Sequence, residues 1–227
     1  MIPTADEIRE RHDRLLARLR AVAERSDHDP DRLRIVAVTK AWRVEVARAA
    51  VDAGLTMLGE SRVQEAEPKI HDLPMAEWHL VGRLQSNKVR RAVRGFEVIH
   101  SVDSASLLAQ LARVAAEEGS SPRLLLQVNV TGESAKGGMT PETLLAMTGG
   151  LGGGSVVGLM AIARMGATDE EARAAFRRLR ELRDRARDAS GEPLGELSMG
   201  MSDDAEAAAA EGATLVRIGT ALFGPRA

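Results

Sequence analysis

The 227-residue chain contains no cysteine and no tyrosine, and its only aromatic residues are Trp42, Trp78, Phe96, Phe176 and Phe223. Without cysteine there is no disulfide, no thiolate nucleophile and no thiolate metal site. The five histidines show no metal-ligand spacing. So few aromatics leave no patch of the kind that anchors a strong protein contact, and a monomer or weak dimer is expected. No apolar run is long enough to span a membrane, and the first 25 residues lack the apolar core of a signal peptide. A cytoplasmic protein is expected. There is also no basic block: 33 acidic against 31 basic residues give a net charge of −2, which argues against nucleic acid as a partner. Lysine is scarce as well, since of those 31 basic residues only Lys40, Lys69, Lys88 and Lys136 are not arginine. Chemistry falls to these lysines, to His, Ser, Thr and acids, and to any cofactor.

What is present is a regular alternation. Short apolar runs at 33–39, 56–59, 77–82, 97–101, 123–130, 155–161, 194–198 and 213–218 read as strands. Between them lie helical patterns near 43–53, 61–71, 85–94, 104–118, 140–149, 168–189 and 203–211. In the sixth of these, Ala172, Ala175, Phe176, Leu179, Leu182 and Ala186 make an apolar stripe at helical spacing. Residues 1–25 read as a further amphipathic helix with Ile8, Leu15, Leu16, Leu19 and Val22 on one face. Repeated βα units of this length predict an α/β fold, a single (β/α)8 TIM barrel over residues 1–227 with an extra N-terminal helix. The glycine-rich run 149–154 precedes a strand and not a helix, so it reads as a connection and not as a phosphate loop.

Unusual residues cluster where such barrels carry their chemistry, at the C-terminal ends of the strands. Lys40 ends the run Leu33-Arg34-Ile35-Val36-Ala37-Val38-Thr39. A lysine can lose its proton and form a Schiff base with a carbonyl, which arginine cannot; a solvated loop lysine is the plainer alternative. Ser198 and Gly200 after the seventh strand, with Gly219 and Thr220 after the eighth, supply the small residues that let backbone N–H groups face a phosphate. Ser202-Asp203-Asp204 is also expected to cap the Ala-rich helix that follows. Arg217, on the last strand beside these loops, is placed to sit under a bound ring. Lysine, phosphate cradle and arginine together describe a pocket for pyridoxal 5′-phosphate (PLP).

The motifs Ile35-Val36-Ala37-Val38-Thr39-Lys40, Leu58-Gly59-Glu60-Ser61-Arg62-Val63-Gln64-Glu65, Trp78-His79 through Gly82, Leu84-Gln85-Ser86-Asn87-Lys88, Leu197-Ser198-Met199-Gly200-Met201-Ser202-Asp203-Asp204 and Val216-Arg217-Ile218-Gly219-Thr220-Ala221-Leu222-Phe223-Gly224 resemble, in order and over nearly the whole chain, those of the pyridoxal phosphate homeostasis proteins. That family resembles the barrel half of alanine racemase standing alone, the fold type III PLP-binding barrel. The resemblance implies Lys40 as the Schiff-base lysine, Arg217 facing the pyridine nitrogen, and Ser198, Gly219 and Thr220 on the phosphate. The expected cofactor-binding set is Lys40, Ser61, His79, Ser198, Met199, Gly200, Arg217, Gly219 and Thr220. Ser61 departs from the family, which usually has Asn there, and Arg83 is a milder difference.

A guanidinium facing the ring nitrogen cannot stabilise a protonated pyridinium as a carboxylate would, so the ring is a weak electron sink. Racemases of this fold take their second base from a tyrosine in a separate domain, and this chain has no tyrosine. The expected state is therefore an internal aldimine held for PLP homeostasis by storage, buffering or delivery to apo-enzymes, without robust turnover. The alternatives are a weak amino-acid racemase with His79 as opposing base, and a cofactor-free Schiff-base aldolase acting on a phosphorylated substrate. His79 reads more plainly as a buried histidine satisfied by a backbone group. Apo PLP-dependent enzymes and free amino acids are the further partners expected. Lys88 and Lys136 are either exposed lysines or a second, low-affinity anion site.

Overall fold

A computed structural model describes residues 2–133, 137–151 and 155–225. Eight parallel strands close on one another in sequence order: β1 (Arg34–Val38), β2 (Met57–Glu60), β3 (Glu77–Leu80), β4 (Val98–Val102), β5 (Arg123–Gln127), β6 (Val156–Met160), β7 (Glu196–Ser198) and β8 (Leu215–Ile218). Closure is made by β1 against β8, with Val36 opposite Arg217 and Ala37 opposite Ile218. The helices are α1 (Ala5–Arg25), α2 (Val44–Asp52), α3 (Val63–Asp72), α4 (Val89–Gly95), α5 (Ala105–Glu118), α6 (Pro141–Ala146), α7 (Asp169–Ser190), α8 (Ala205–Ala210) and α9 (Thr220–Phe223).

The strands are apolar on both faces because both faces are covered. Ile35 and Ala37 of β1 join the layer between strands and helices, while Val36 turns into the barrel with Val98, Leu125, Met160 and Leu215. Outside, α1 packs against α2 and α8 and so covers the seam between the first and last βα units. The two longest helices start at full capping boxes, Thr4 with Glu7 and Thr168 with Glu171. All six residues of the apolar stripe on α7 are buried. No described helix is long and apolar enough to cross a membrane.

Element boundaries follow the sequence pattern within a few residues, with four informative differences. β5 stops at Gln127 and not at 130, because the Asn129 side chain accepts from Thr131 N (3.2 Å) and Gly132 N (3.1 Å) and turns the chain. The helix expected over 85–94 opens with a separate 3-10 turn, Ser86–Lys88. The one expected over 140–149 breaks after Ala146 into another, Thr148–Gly150. α8 has no side-chain cap; Asp204 instead accepts from Met201 N at 2.6 Å, across its own loop. Lys136 and the last three glycines of the run 149–154 lie outside the described residues.

Candidate functional site

Lys40 sits two residues beyond β1, half-buried, in a turn closed by Trp42 N–H donating to Thr39 O at 3.0 Å. Ala41 takes a left-handed φ of 61°, the conformation that the third position of a type II turn demands and that glycine normally supplies. Beneath the turn, three polar groups meet out of solvent. Lys69 Nζ donates to Thr39 O (2.9 Å) and to Glu60 Oε1 (2.6 Å), and Thr39 Oγ1 donates to the same oxygen at 2.7 Å. The Glu60 and Lys69 side chains are 0% and 6% exposed, so this is a buried ion pair anchoring the residue before Lys40. Glu60 Oε2 is buried without a partner among the described residues.

Arg217 lies on β8, next to β1, and is buried. Its Nη1 donates to Ser198 Oγ at 2.6 Å and its Nη2 to Ala161 O at 2.9 Å, while Nε donates to no described residue. Burial lowers Arg217 to about 10, with Asp204 opposing the shift, and at neutral pH the guanidinium remains charged. Ser198 Oγ is also 2.8 Å from His100 Nδ1; His100 Nε2 is 2.8 Å from His79 Nδ1; His79 Nε2 is 2.8 Å from Glu77 Oε1. His79 is thus satisfied at both ring nitrogens by side chains and not by a backbone group.

The loops after β7 and β8 meet beside Arg217. Gly200 O accepts from Arg217 N at 2.9 Å, and Ser202 Oγ accepts from Ala221 N, in the first turn of α9, at 3.4 Å. Two glycines pack tightly here, and at Gly200 no side chain fits. A Cβ on Gly219 would stand 3.3 Å from Val38 O, and one on Gly200, at φ 89°, would stand 2.5 Å from Ala208 Cβ. Thr220 is exposed at this rim and Met199 is fully buried below it. Ser198 lies inside the barrel with Arg217 and His100, and the loop hydroxyl against α9 is that of Ser202.

The family profile described as alanine racemase, N-terminal domain, matches residues 11–227. The chain is 40% identical over 223 residues to the pyridoxal phosphate homeostasis protein of Aquifex aeolicus, covering 96% of this chain and 97% of that one. It is 42% identical over 219 residues to its namesake from Pseudomonas aeruginosa, covering 94% and 93%. The chain belongs to the pyridoxal phosphate homeostasis family. PipY of Synechococcus elongatus, solved with PLP bound, superposes with a TM-score of 0.82 at 41% identity, over 96% of this chain and all of PipY.

The structure places Lys40, Arg217, Gly200, Gly219 and Thr220 on β1, β8 and the loops beside them. His79 and Ser198 lie in the barrel interior below. Ser61, the departure from the family's usual Asn, is half-buried just after β2, and its hydroxyl bonds to no described residue. It lines a cavity of about 590 Å³ with Arg62, Gln64, Arg83, Gln85 and Lys88, a lining that includes neither Lys40 nor Arg217. Sequence reasoning missed Lys69, Ser202 and His100. The signal for His100 was the polar pair His100-Ser101 inside a strand that is buried throughout.

Proposed function

We propose that this chain binds PLP, joined covalently at Lys40 Nζ, and holds it for storage, buffering or delivery to apo-enzymes in the cytoplasm, without robust turnover. Residues 1–227 act as one PLP-binding barrel. The donor set suits a phosphorylated pyridine aldehyde: a lysine just beyond β1, a cation on the adjoining strand, and beside them two loops whose glycines, Gly200 and Gly219, pack closely on Ala208 and Val38. Gly200, Ser202, Gly219 and Thr220 take the phosphate, Ser61 stands at the rim, and Met199 supports the floor. His79 and Ser198 act from below.

The observation that carries the carrier reading is the setting of Arg217. Both Nη atoms are held by neutral acceptors, so in this reading Nε, which donates to no described residue, is the N–H offered to the ring nitrogen. PLP supplies an electron sink when bound, and that sink is deep only when its ring nitrogen is protonated. A charged arginine has no acceptor for such a proton and keeps it away. The second base of a racemase is also wanting: the chain has no tyrosine, and both nitrogens of His79 are engaged inside the barrel.

The test is the absorbance spectrum of PLP-loaded protein before and after borohydride reduction, followed by mass analysis of the Lys40 peptide. A yellow band that reduction fixes on Lys40, and that Lys40→Ala abolishes, is expected. An unchanged band in Lys40→Ala would overturn the attachment. Exchange of amino-acid α-hydrogens in heavy water at enzymatic rates would overturn the carrier half.

A further inference from the structure

A line of side chains crosses the barrel from Arg217 to the opposite face. The contacts run Arg217 to Ser198 (2.6 Å), Ser198 to His100 (2.8 Å), His100 to His79 (2.8 Å) and His79 to Glu77 (2.8 Å). Glu77 opens β3 at the N-terminal face, where its Oε1 also accepts from Arg123 Nη2 at 2.7 Å. The two histidines and Ser198 are buried, whereas the Glu77 and Arg123 side chains are 33% and 45% exposed. One end of the line therefore reaches solvent on the face away from Lys40.

Donor chemistry gives the line a direction. A guanidinium only donates, so Ser198 Oγ accepts from Arg217 and its O–H is free to donate to His100 Nδ1. His100 then carries its proton on Nε2 and donates to His79 Nδ1. His79 likewise donates from Nε2 to the Glu77 carboxylate, which only accepts. Every bond points away from Arg217, and both rings are neutral in this arrangement. Burial acts in the same sense, pushing His79 down and His100 well down from the ordinary histidine range. The charged groups around the two rings are Glu77, Glu97, Arg123 and Arg217.

Resting on the PLP reading above, we propose that His79 and His100 are positioning residues: as Nε2–H tautomers they join Ser198 and Glu77 in a one-way hydrogen-bond relay that fixes the Arg217 guanidinium under the cofactor ring and couples the bound cofactor to charge on the opposite face. A packing role alone would need neither the tautomers nor the exposed carboxylate.

Two measurements test this. In protein free of PLP, 15N-histidine spectra, assigned with His79→Gln and His100→Asn, should show both rings neutral and protonated at Nε2, and Ser198→Ala should move the Nδ1 resonance of His100. A doubly protonated ring or an Nδ1–H tautomer at neutral pH would overturn the relay. In PLP-loaded protein, Glu77→Gln on the far face should shift the absorbance maximum. His100→Leu should weaken PLP retention by up to about tenfold, the loss expected for one hydrogen bond between neutral groups, with partial recovery in His100→Asn. A Glu77→Gln variant that binds PLP with the parent spectrum and affinity would refute the coupling even if His100→Leu fails to fold. A parent protein that takes up no PLP would instead sink the functional reading itself.

Discussion

At the scale of single residues, the sequence speaks through scarcity. Lys40 stands out because arginine fills nearly every other basic position, and Arg217 because a charged residue interrupts a strand buried along its whole length. Lys69 shares that scarcity but stands at no strand end, and in the last turn of α3 it reads as an ordinary exposed helical cation. Only the fold shows its ammonium under Thr39, paired with Glu60. Because that carboxylate is fully buried, Lys69→Met leaves an uncompensated charge, at a cost of about 3–5 kcal/mol. For a chain of this length that lowers the thermal midpoint by roughly 6–20 °C. Replacing Glu60 and Lys69 together by leucines should recover much of the loss, and thermal unfolding of the parent and the two variants checks both statements.

At the scale of elements, eight strands and the helices between them were legible because burial on both faces writes unbroken apolar runs. The ends were less so, since loop side chains such as Asn129 decide where a strand stops. The caps show the same limit: both capping boxes form, yet Asp204 caps nothing on α8 and ties its own loop to Met201. That loop is held in place by Gly200, whose φ and whose closeness to Ala208 both forbid a side chain. Gly200→Ala should cost about 1–3 kcal/mol and weaken PLP retention. Adding Ala208→Gly should relieve the contact while leaving the backbone strain, so thermal melts and PLP titrations should show partial recovery only.

At the scale of the whole molecule, buried titrating groups set the response to acid. His79 and His100 are held neutral by burial, so below the ordinary histidine value of 6.5 the unfolded chain binds protons that the native one refuses, and stability falls with pH. Glu77 adds a second loss. The hydrogen bond from His79 lowers its carboxyl from 4.5 to about 2, with Arg123 assisting. Its contribution, present above 4.5, disappears as pH drops towards 2. Urea midpoints measured across this range should decline in two stages, and Glu77→Gln should flatten the lower one. No property of single strands announces this: Glu77, His79, His100, Ser198 and Arg217 come from four strands, and only closure of the barrel brings them into one line.

Closure also sets where light is absorbed and emitted. With no tyrosine, ultraviolet fluorescence comes from two tryptophans alone. Trp78 is buried, its indole N–H donating to Leu73 O at 3.2 Å. Trp42 stands two residues from Lys40, its ring edge-on to Phe223 of α9 at 6.4 Å between centroids. A yellow chromophore on Lys40 would lie beside one emitter, while the other stays enclosed between strand and helix, so the chain carries its own optical gauge of loading together with an internal reference.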